Sequence, residues 1–207
     1  MSDRLAALER RLQHSFANPA LLAQALTHRS FSADHNERLE FLGDSVLNLA
    51  VAGLLFHRLG SLPEGDLSRV RANLVRQDTL HGLAVSCGLP DVLRLGEGEM
   101  RSGGARRPSI LADALEAVIG AVYLDAGYGA AIALVHRLFD GVDINPQMQA
   151  MGKDPKTELQ EWLQARRYRL PGYRVVATLG AAHRQTFDVE CEIVELALAE
   201  RGIGGSR

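Results

Sequence analysis

Asn36-Glu-Arg-Leu-Glu-Phe-Leu-Gly-Asp-Ser45 opens a helical stretch that runs to about Leu59 and ends near Gly60 and Leu62-Pro63. Its carboxylates, Glu37, Glu40 and Asp44, stand at offsets of 0, 3 and 7. On a 3.6-residue helix those offsets share one face. A charged face is ordinarily a solvated one, but two features count against that here. Beyond Asp44 the stretch is apolar nearly all round, through Val46, Leu47, Leu49, Ala50, Val51, Leu54, Leu55 and Phe56, as in a helix buried inside a domain. Carboxylates three and four residues apart also repel, so a sequence selected for stability alone would interleave Lys or Arg.

The stretch from Ser109 to Leu124 repeats the pattern. Asp113 and Glu116 are its only charges, three apart, among Ile110, Leu111, Ala112, Leu115, Val118, Ile119, Ala121 and Val122. Ser109 is placed to cap this helix. Carboxylates in such surroundings need a compensating partner, because an unpaired buried charge costs several kcal/mol. Oxygen donors from two helices suit Mg²⁺ or Mn²⁺, whereas Zn²⁺ is disfavoured by the lack of Cys or His at ligand spacing. The residues therefore predict a hard-cation site built from Glu40, Asp44, Asp113 and Glu116. Sites of this kind often hydrolyse phosphate esters. The pattern leaves the substrate open.

Working outward, Leu5, Leu8 and Leu12 recur at helical spacing, and Asn18-Pro19 reads as a stop and restart before a short helix through Leu21, Leu22, Ala25 and Leu26. Further helices are expected over Leu67–Val75, Thr79–Val85 and Ala130–Phe139. The glycine-rich stretch Leu95–Ser109, with Arg101, Arg106 and Arg107, reads as a loop. Up to residue 148 nothing alternates like a strand. After Gln147 the grammar changes: a short linker, a helix over Pro155–Gln164, then Tyr173, Val175, Ala177 and Phe187, Val189, Cys191, Ile193 as a hairpin, with Leu196–Ile203 as a weaker third strand. The expected domains are an all-α domain over 1–148, a linker at 149–153, and a small α+β domain over 154–207.

The 207 residues are 46% hydrophobic and 23% charged, an ordinary globular balance, but the net charge of −2 gives no bulk support for a nucleic-acid partner. No apolar run of eighteen residues occurs, so no membrane-crossing helix is expected, and the N-terminus lacks a secretory pattern. Cys87 and Cys191, far apart, suggest a reducing cytoplasm rather than a disulfide framework.

The stretch Asn36–Ser45 resembles the signature motif of the ribonuclease III family at every position. Ala25-Leu-Thr-His-Arg-Ser30, Gly65-Asp-Leu-Ser-Arg69, Ser102-Gly-Gly104 and Ser109-Ile-Leu-Ala-Asp-Ala-Leu-Glu116 match further family segments in the same order, and Lys156-Thr-Glu-Leu-Gln-Glu161 resembles the opening of the double-stranded RNA-binding domain of bacterial members. The resemblance covers essentially the whole chain. It implies a cytoplasmic, Mg²⁺-dependent endonuclease that cuts double-stranded RNA to 5′-phosphate and 3′-hydroxyl ends with a short 3′ overhang, in the processing of rRNA and mRNA. Mn²⁺ is an expected substitute. It also implies an all-α nuclease domain that homodimerises through the signature helix. Carried over by residue, Glu40, Asp113 and Glu116 match metal ligands, Asp44 and Glu116 match catalytic positions, and Glu37 and Glu64 match supporting acids. Phe41 falls in the implied dimer contact. Arg106 and Arg107 are candidates for RNA phosphates, and His28 reads as a structural hydrogen-bonding residue in preference to a metal ligand. In the second domain Thr157, Gln160, Glu161 and Gln164 match minor-groove contacts, with His183 in a hairpin loop that enters the next groove; such domains read A-form shape across about 16 bp.

One departure stands out. The family's RNA-binding domain closes with a helix begun by a basic cluster, and this chain stops at Gly204-Gly-Ser-Arg207. Residues 154–207 carry eight basic and eight acidic side chains. A sheet covered by one helix is expected to leave apolar surface open, giving a domain of marginal stability and weak RNA affinity. Two other readings share parts of the pattern. An all-α nucleotide pyrophosphohydrolase would also use helix carboxylates for Mg²⁺ but would not need Lys156–Ile203. A non-catalytic duplex-RNA binder would have lost one of the carboxylates, and all four are present.

Overall fold

The computed structural model describes residues 2–145, 155–181 and 185–205. The chain divides into two compact units, Met1–Met151 and Gly152–Arg207. The expected linker at 149–153 and the loop residue His183 lie outside the described residues.

The first unit is all helix: α1 (Ser2–Leu12), α2 (Pro19–Ala25), α3 (Glu37–Arg58), α4 (Glu64–Leu74), α5 (Gln77–Cys87), α6 (Glu97–Arg101) and α7 (Pro108–Phe139). Leu8 and Leu12 of α1 are buried as their spacing predicts. Asn18 caps α2, its side chain accepting from the Ala20 amide at 3.1 Å, with Pro19 in the first turn where no amide is required. Gly88 ends α5 in the left-handed region, at φ 80°, and any side chain there would collide with the Arg11 guanidinium.

The unit is organised by the crossing of α3 and α7. A Cβ on Gly43 would fall 1.7 Å from the Glu116 carbonyl oxygen, and one on Gly120 would fall 2.3 Å from that of Leu39. Two bare backbones therefore touch at the crossing, and only glycine at both positions permits it. Leu47, Val51 and Leu55 of α3 and Leu111, Leu115, Val118, Ile119 and Val122 of α7 are sealed around this contact. Each helix is long and apolar enough, by length and composition, to cross a bilayer. Here each serves as a core helix of one bundle, which is why its hydropathy is high.

Two expectations are corrected. The stretch Leu95–Ser109 is not an open loop: it folds into α6 and a 3₁₀ turn at Gly104–Arg106, with Gly104 laid against Glu99. Ser109 does not cap α7. The cap position is Arg107 and no side chain bonds there, because Pro108 opens the helix and removes one amide that would need a partner. The expected helical runs 109–124 and 130–139 both lie in Pro108–Phe139 and are separated by a break at Gly127, whose φ of 82° and ψ of 179° leave the helical path. Just before the break Asp125 accepts from the Asn18 and Ala17 amides, at 2.8 and 3.0 Å, and from His14 Nε2 at 2.9 Å, tying the α1–α2 connection to α7.

The second unit is α8 (Pro155–Ala165) with an antiparallel sheet β1 (Gly172–Leu179), β2 (Thr186–Ile193) and β3 (Leu198–Gly204), in that order. A register shift between Val175 and Ala177 interrupts the expected alternation of β1. Among the described residues its buried apolar core is Leu163, Phe187 and Ile193. A groove of about 420 Å³ runs along Leu159, Trp162, Ile193, Leu196 and Leu198.

Candidate active site

Glu40 lies one turn into α3 and Asp113 and Glu116 lie in the second and third turns of α7, on either side of the glycine crossing. Because Gly43 rests on the backbone of Glu116, the two acidic faces are drawn together. Glu40, Asp113 and Glu116 each offer a carboxylate oxygen, and those oxygens lie within 4.8 Å of one another. All three side chains are half-buried, with no cation paired to them among the described residues. The donor set fits a hard divalent ion, which takes oxygen ligands and offsets converging negative charge.

The electrostatics record the crowding. Burial first, then the carboxylates of Asp44, Asp113 and Glu40, push Glu116 up to about 8. Burial followed by Asp113, Glu37 and Asp44 raises Glu40. Burial also raises Asp113, against the pull of His28 and Arg29. The consequence for stability has a definite sign. These groups hold protons in the folded state that the unfolded chain has already released, so their contribution is present at low pH and lost as pH rises towards about 8. Chelated protein is expected to lose on the order of 2 kcal/mol between pH 5.5 and 8.5, after allowance for solvent screening. A divalent cation should restore more stability at the upper end than at the lower. Asp125, whose carboxyl is lowered chiefly by the Asn18 amide, changes below this window. Thermal melts across the range, with and without metal, check it; a melting temperature that is flat or rises in chelator contradicts the arrangement.

The other predicted acids are placed less uniformly. Asp44 is exposed and not part of the close trio; Asn48 Nδ2 donates to its Oδ1 at 2.8 Å, yet it is the strongest like-charge influence on Glu116. Glu37 lies beside the trio, 3.3 Å from Arg29. Glu64, at the start of α4, accepts from Ser68 Oγ at 2.7 Å and borders a different groove, with Leu55, Phe56, Leu67 and Arg71. Within one chain the fold does not bring Glu64 to the trio, because α4 begins after α3 has ended, far along the chain from Glu40. A cleft of about 580 Å³ opens beside Glu37, Glu40 and Asp113 and is lined also by His28, Arg29, Ser30 and Arg107. Arg107 binds Glu99 at 2.6 Å, whereas Arg106 is exposed and outside the cleft lining. In α8, Thr157, Glu161 and Gln164 are exposed and Gln160 is half-buried.

The sequence profile described as Ribonuclease-III-like matches residues 18–141, more than half of the chain. The chain belongs to the ribonuclease III family. Curated proteins named Ribonuclease 3 from Albidiferax ferrireducens and Variovorax paradoxus are 75% and 73% identical over 207 residues, all of this chain and 91% of each relative. A solved nuclease domain of ribonuclease III from Campylobacter jejuni is 46% identical, with a TM-score of 0.64, over 65% of this chain and 94% of that domain. A second structure of the same nuclease domain gives 44% and 0.65, over 68% and 97%. The chain is thus an endoribonuclease of the ribonuclease III family, and the fold is the all-α nuclease type followed by a small α+β unit.

Asn36 and Ser30 of the cleft wall carry no periodic signal in the sequence, and His28, a structural residue by its sequence, lines the same wall. The usable signal was the polar run Thr27-His-Arg-Ser30, which sits between two apolar helices without continuing either pattern.

Proposed function

We propose that this ribonuclease III cuts double-stranded RNA in the cytoplasm with Mg²⁺, or Mn²⁺ in its place, leaving 5′-phosphate and 3′-hydroxyl ends, in rRNA and mRNA processing. The observation that carries the proposal is the convergence of Glu40, Asp113 and Glu116 beside an open cleft. These three would hold the cation, with Asp44 and Glu116 in the catalytic positions and Glu37 in support. When bound, the cation supplies compensation for the carboxylates and Lewis-acid chemistry at the phosphate. The residues themselves hold the anionic charge in a fixed geometry, which costs the site no rearrangement when substrate arrives. Arg29 and Arg107 stand in the cleft wall where strand phosphates would pass.

The nuclease domain is assigned to 1–148 and an RNA-binding unit to 154–207, with Thr157, Gln160, Glu161 and Gln164 on the RNA-facing side of α8. The working unit is a homodimer through α3. Phe41, Leu49 and Phe56 are 79%, 58% and 68% exposed along this helix, an apolar row that a second copy would cover. The solved Campylobacter jejuni nuclease domain is described as having a region involved in dimer formation, which supports a dimer.

Incubating purified protein with a long RNA duplex, a matched single strand and nucleoside triphosphates tests the assignment. Cleavage of the duplex alone, with Mg²⁺ and not with EDTA, is expected. Hydrolysis of triphosphates with the duplex intact would point instead to a pyrophosphohydrolase.

A further inference from the structure

The cleft has a wall that the acidic cluster does not explain. Thr27–Phe31 belongs to neither α2 nor α3, yet it is held firmly. The Arg94 amide donates to the Leu26 carbonyl at 2.8 Å, and the His28 amide donates to the Arg94 carbonyl at 3.0 Å, forming an isolated parallel bridge. Thr27 Oγ1 donates back to the Ala23 carbonyl at 2.6 Å, and the Arg94 guanidinium lies 4.6 Å from the centroid of the Phe31 ring. A Cβ on Gly96 would fall 2.3 Å from the Ser30 carbonyl oxygen, so the backbone there is packed without slack. A polar segment fixed this thoroughly is a rigid mount for whatever its side chains present.

What it presents is an imidazole whose tautomer is set. The Ser30 amide donates to His28 Nδ1 at 3.2 Å. Ser30 Oγ accepts from the Gly96 amide at 3.0 Å and lies 2.8 Å from His28 Nδ1. With Nδ1 accepting from the Ser30 amide, the ring proton sits on Nε2. Nε2 has no hydrogen-bond or ion-pair partner among the described residues, and His28 lines the cleft with Arg29, Arg107, Glu40 and Asp113. A purely structural histidine would need only its Nδ1 contacts; the outward N–H is left over.

We propose that His28 is a substrate-contacting residue whose Nε2–H donates to a non-bridging phosphate oxygen of the RNA strand in the cleft, with Ser30 as the positioning residue that fixes its tautomer. The inference rests on the duplex-RNA reading above. Phosphate suits this place because its oxygens only accept, and the adjoining wall carries Arg29 and Arg107.

Michaelis parameters on a defined duplex with Mg²⁺ test the proposal, alongside duplex binding in a Glu116→Gln background. His28→Ala is expected to raise KM and weaken that binding about tenfold, with kcat changed less than about threefold. His28→Gln, which keeps an N–H near the same place, should recover most of the loss. Ser30→Ala, which keeps the ring but removes the hydroxyl beside Nδ1, should fall between. A methylphosphonate placed near the scissile bond should weaken binding to the His28 protein but not further weaken His28→Ala. An unchanged KM in His28→Ala overturns the proposal; if that variant does not fold, an unchanged KM in Ser30→Ala does so. The proposal is equally overturned if a 2′-deoxy substitution, rather than the methylphosphonate, closes the gap. Absence of duplex cleavage by the unaltered chain would instead sink the parent reading, whereas cleavage with His28→Ala matching its parent removes only this inference.

Discussion

Glu116→Gln is expected to abolish cleavage, by roughly 10³-fold or more, while duplex affinity changes less than about threefold. The substitution preserves shape, so no cavity opens in α7, and it removes one of three carboxylates whose oxygens lie within 4.8 Å of one another. It also removes the group that burial and three neighbouring carboxylates push up to about 8. Activity and stability should therefore move in opposite directions. Metal-free Glu116→Gln should melt at a higher temperature than the parent at pH 8.5, and at nearly the same temperature at pH 5.5, where the parent's Glu116 is already protonated. A carboxylate that merely caps or braces the helix would show the reverse, losing stability when replaced. Single-turnover cleavage and calorimetry in chelator read the two arms separately. Residual cleavage within tenfold of the parent would remove Glu116 from the assignment.

The acidic faces were legible because a helix imposes its period on whatever it must align. Glu37, Glu40 and Asp44 share a face for the same reason that Leu47, Val51 and Leu55 do, and the apolar background made the charges stand out. The family motifs added the substrate. Other features left no periodic trace. The Thr27–Arg94 bridge joins residues far apart in the chain through backbone atoms, and main-chain pairing of one residue with one residue has no alternation to detect. In the stretch Leu95–Ser109 glycine was read as slack. At Gly103 it supplies a positive φ of 82°, and at Gly104 it lets the turn close on Glu99, so the same composition encodes compaction. Glu64 carries no periodic signal of its own: the resemblance alone matches it to a supporting acid, and within one chain it borders a groove with Phe56 and Arg71.

Gly43 is the least conspicuous residue of the signature, and its contact with α7 at the helix crossing carries the second large effect. Gly43→Ala is expected to destabilise the nuclease unit by about 3 kcal/mol or more, lowering the melting temperature by roughly 10 °C. Its new methyl would sit 1.7 Å from the Glu116 carbonyl oxygen, 2.6 Å from the carbonyl carbon and 2.9 Å from the Gly120 amide nitrogen. Every one of these is backbone, so no side chain can swing aside; the helices must separate. Separation acts first on the residues that flank the contact, and Glu40 from α3 would draw away from Asp113 and Glu116 of α7. Metal-dependent stabilisation should therefore shrink along with the melting temperature, although no carboxylate has been touched. Gly82→Ala is the matched control: it lies inside α5 with nothing within 4 Å of its added Cβ, and should gain up to about 1 kcal/mol from helix propensity. Thermal melts of both variants, in chelator and in Mg²⁺, decide the matter. If Gly43→Ala melts within two or three degrees of the parent (well under the roughly 10 °C expected) and keeps its full response to Mg²⁺, the crossing does not hold the acidic faces together as described.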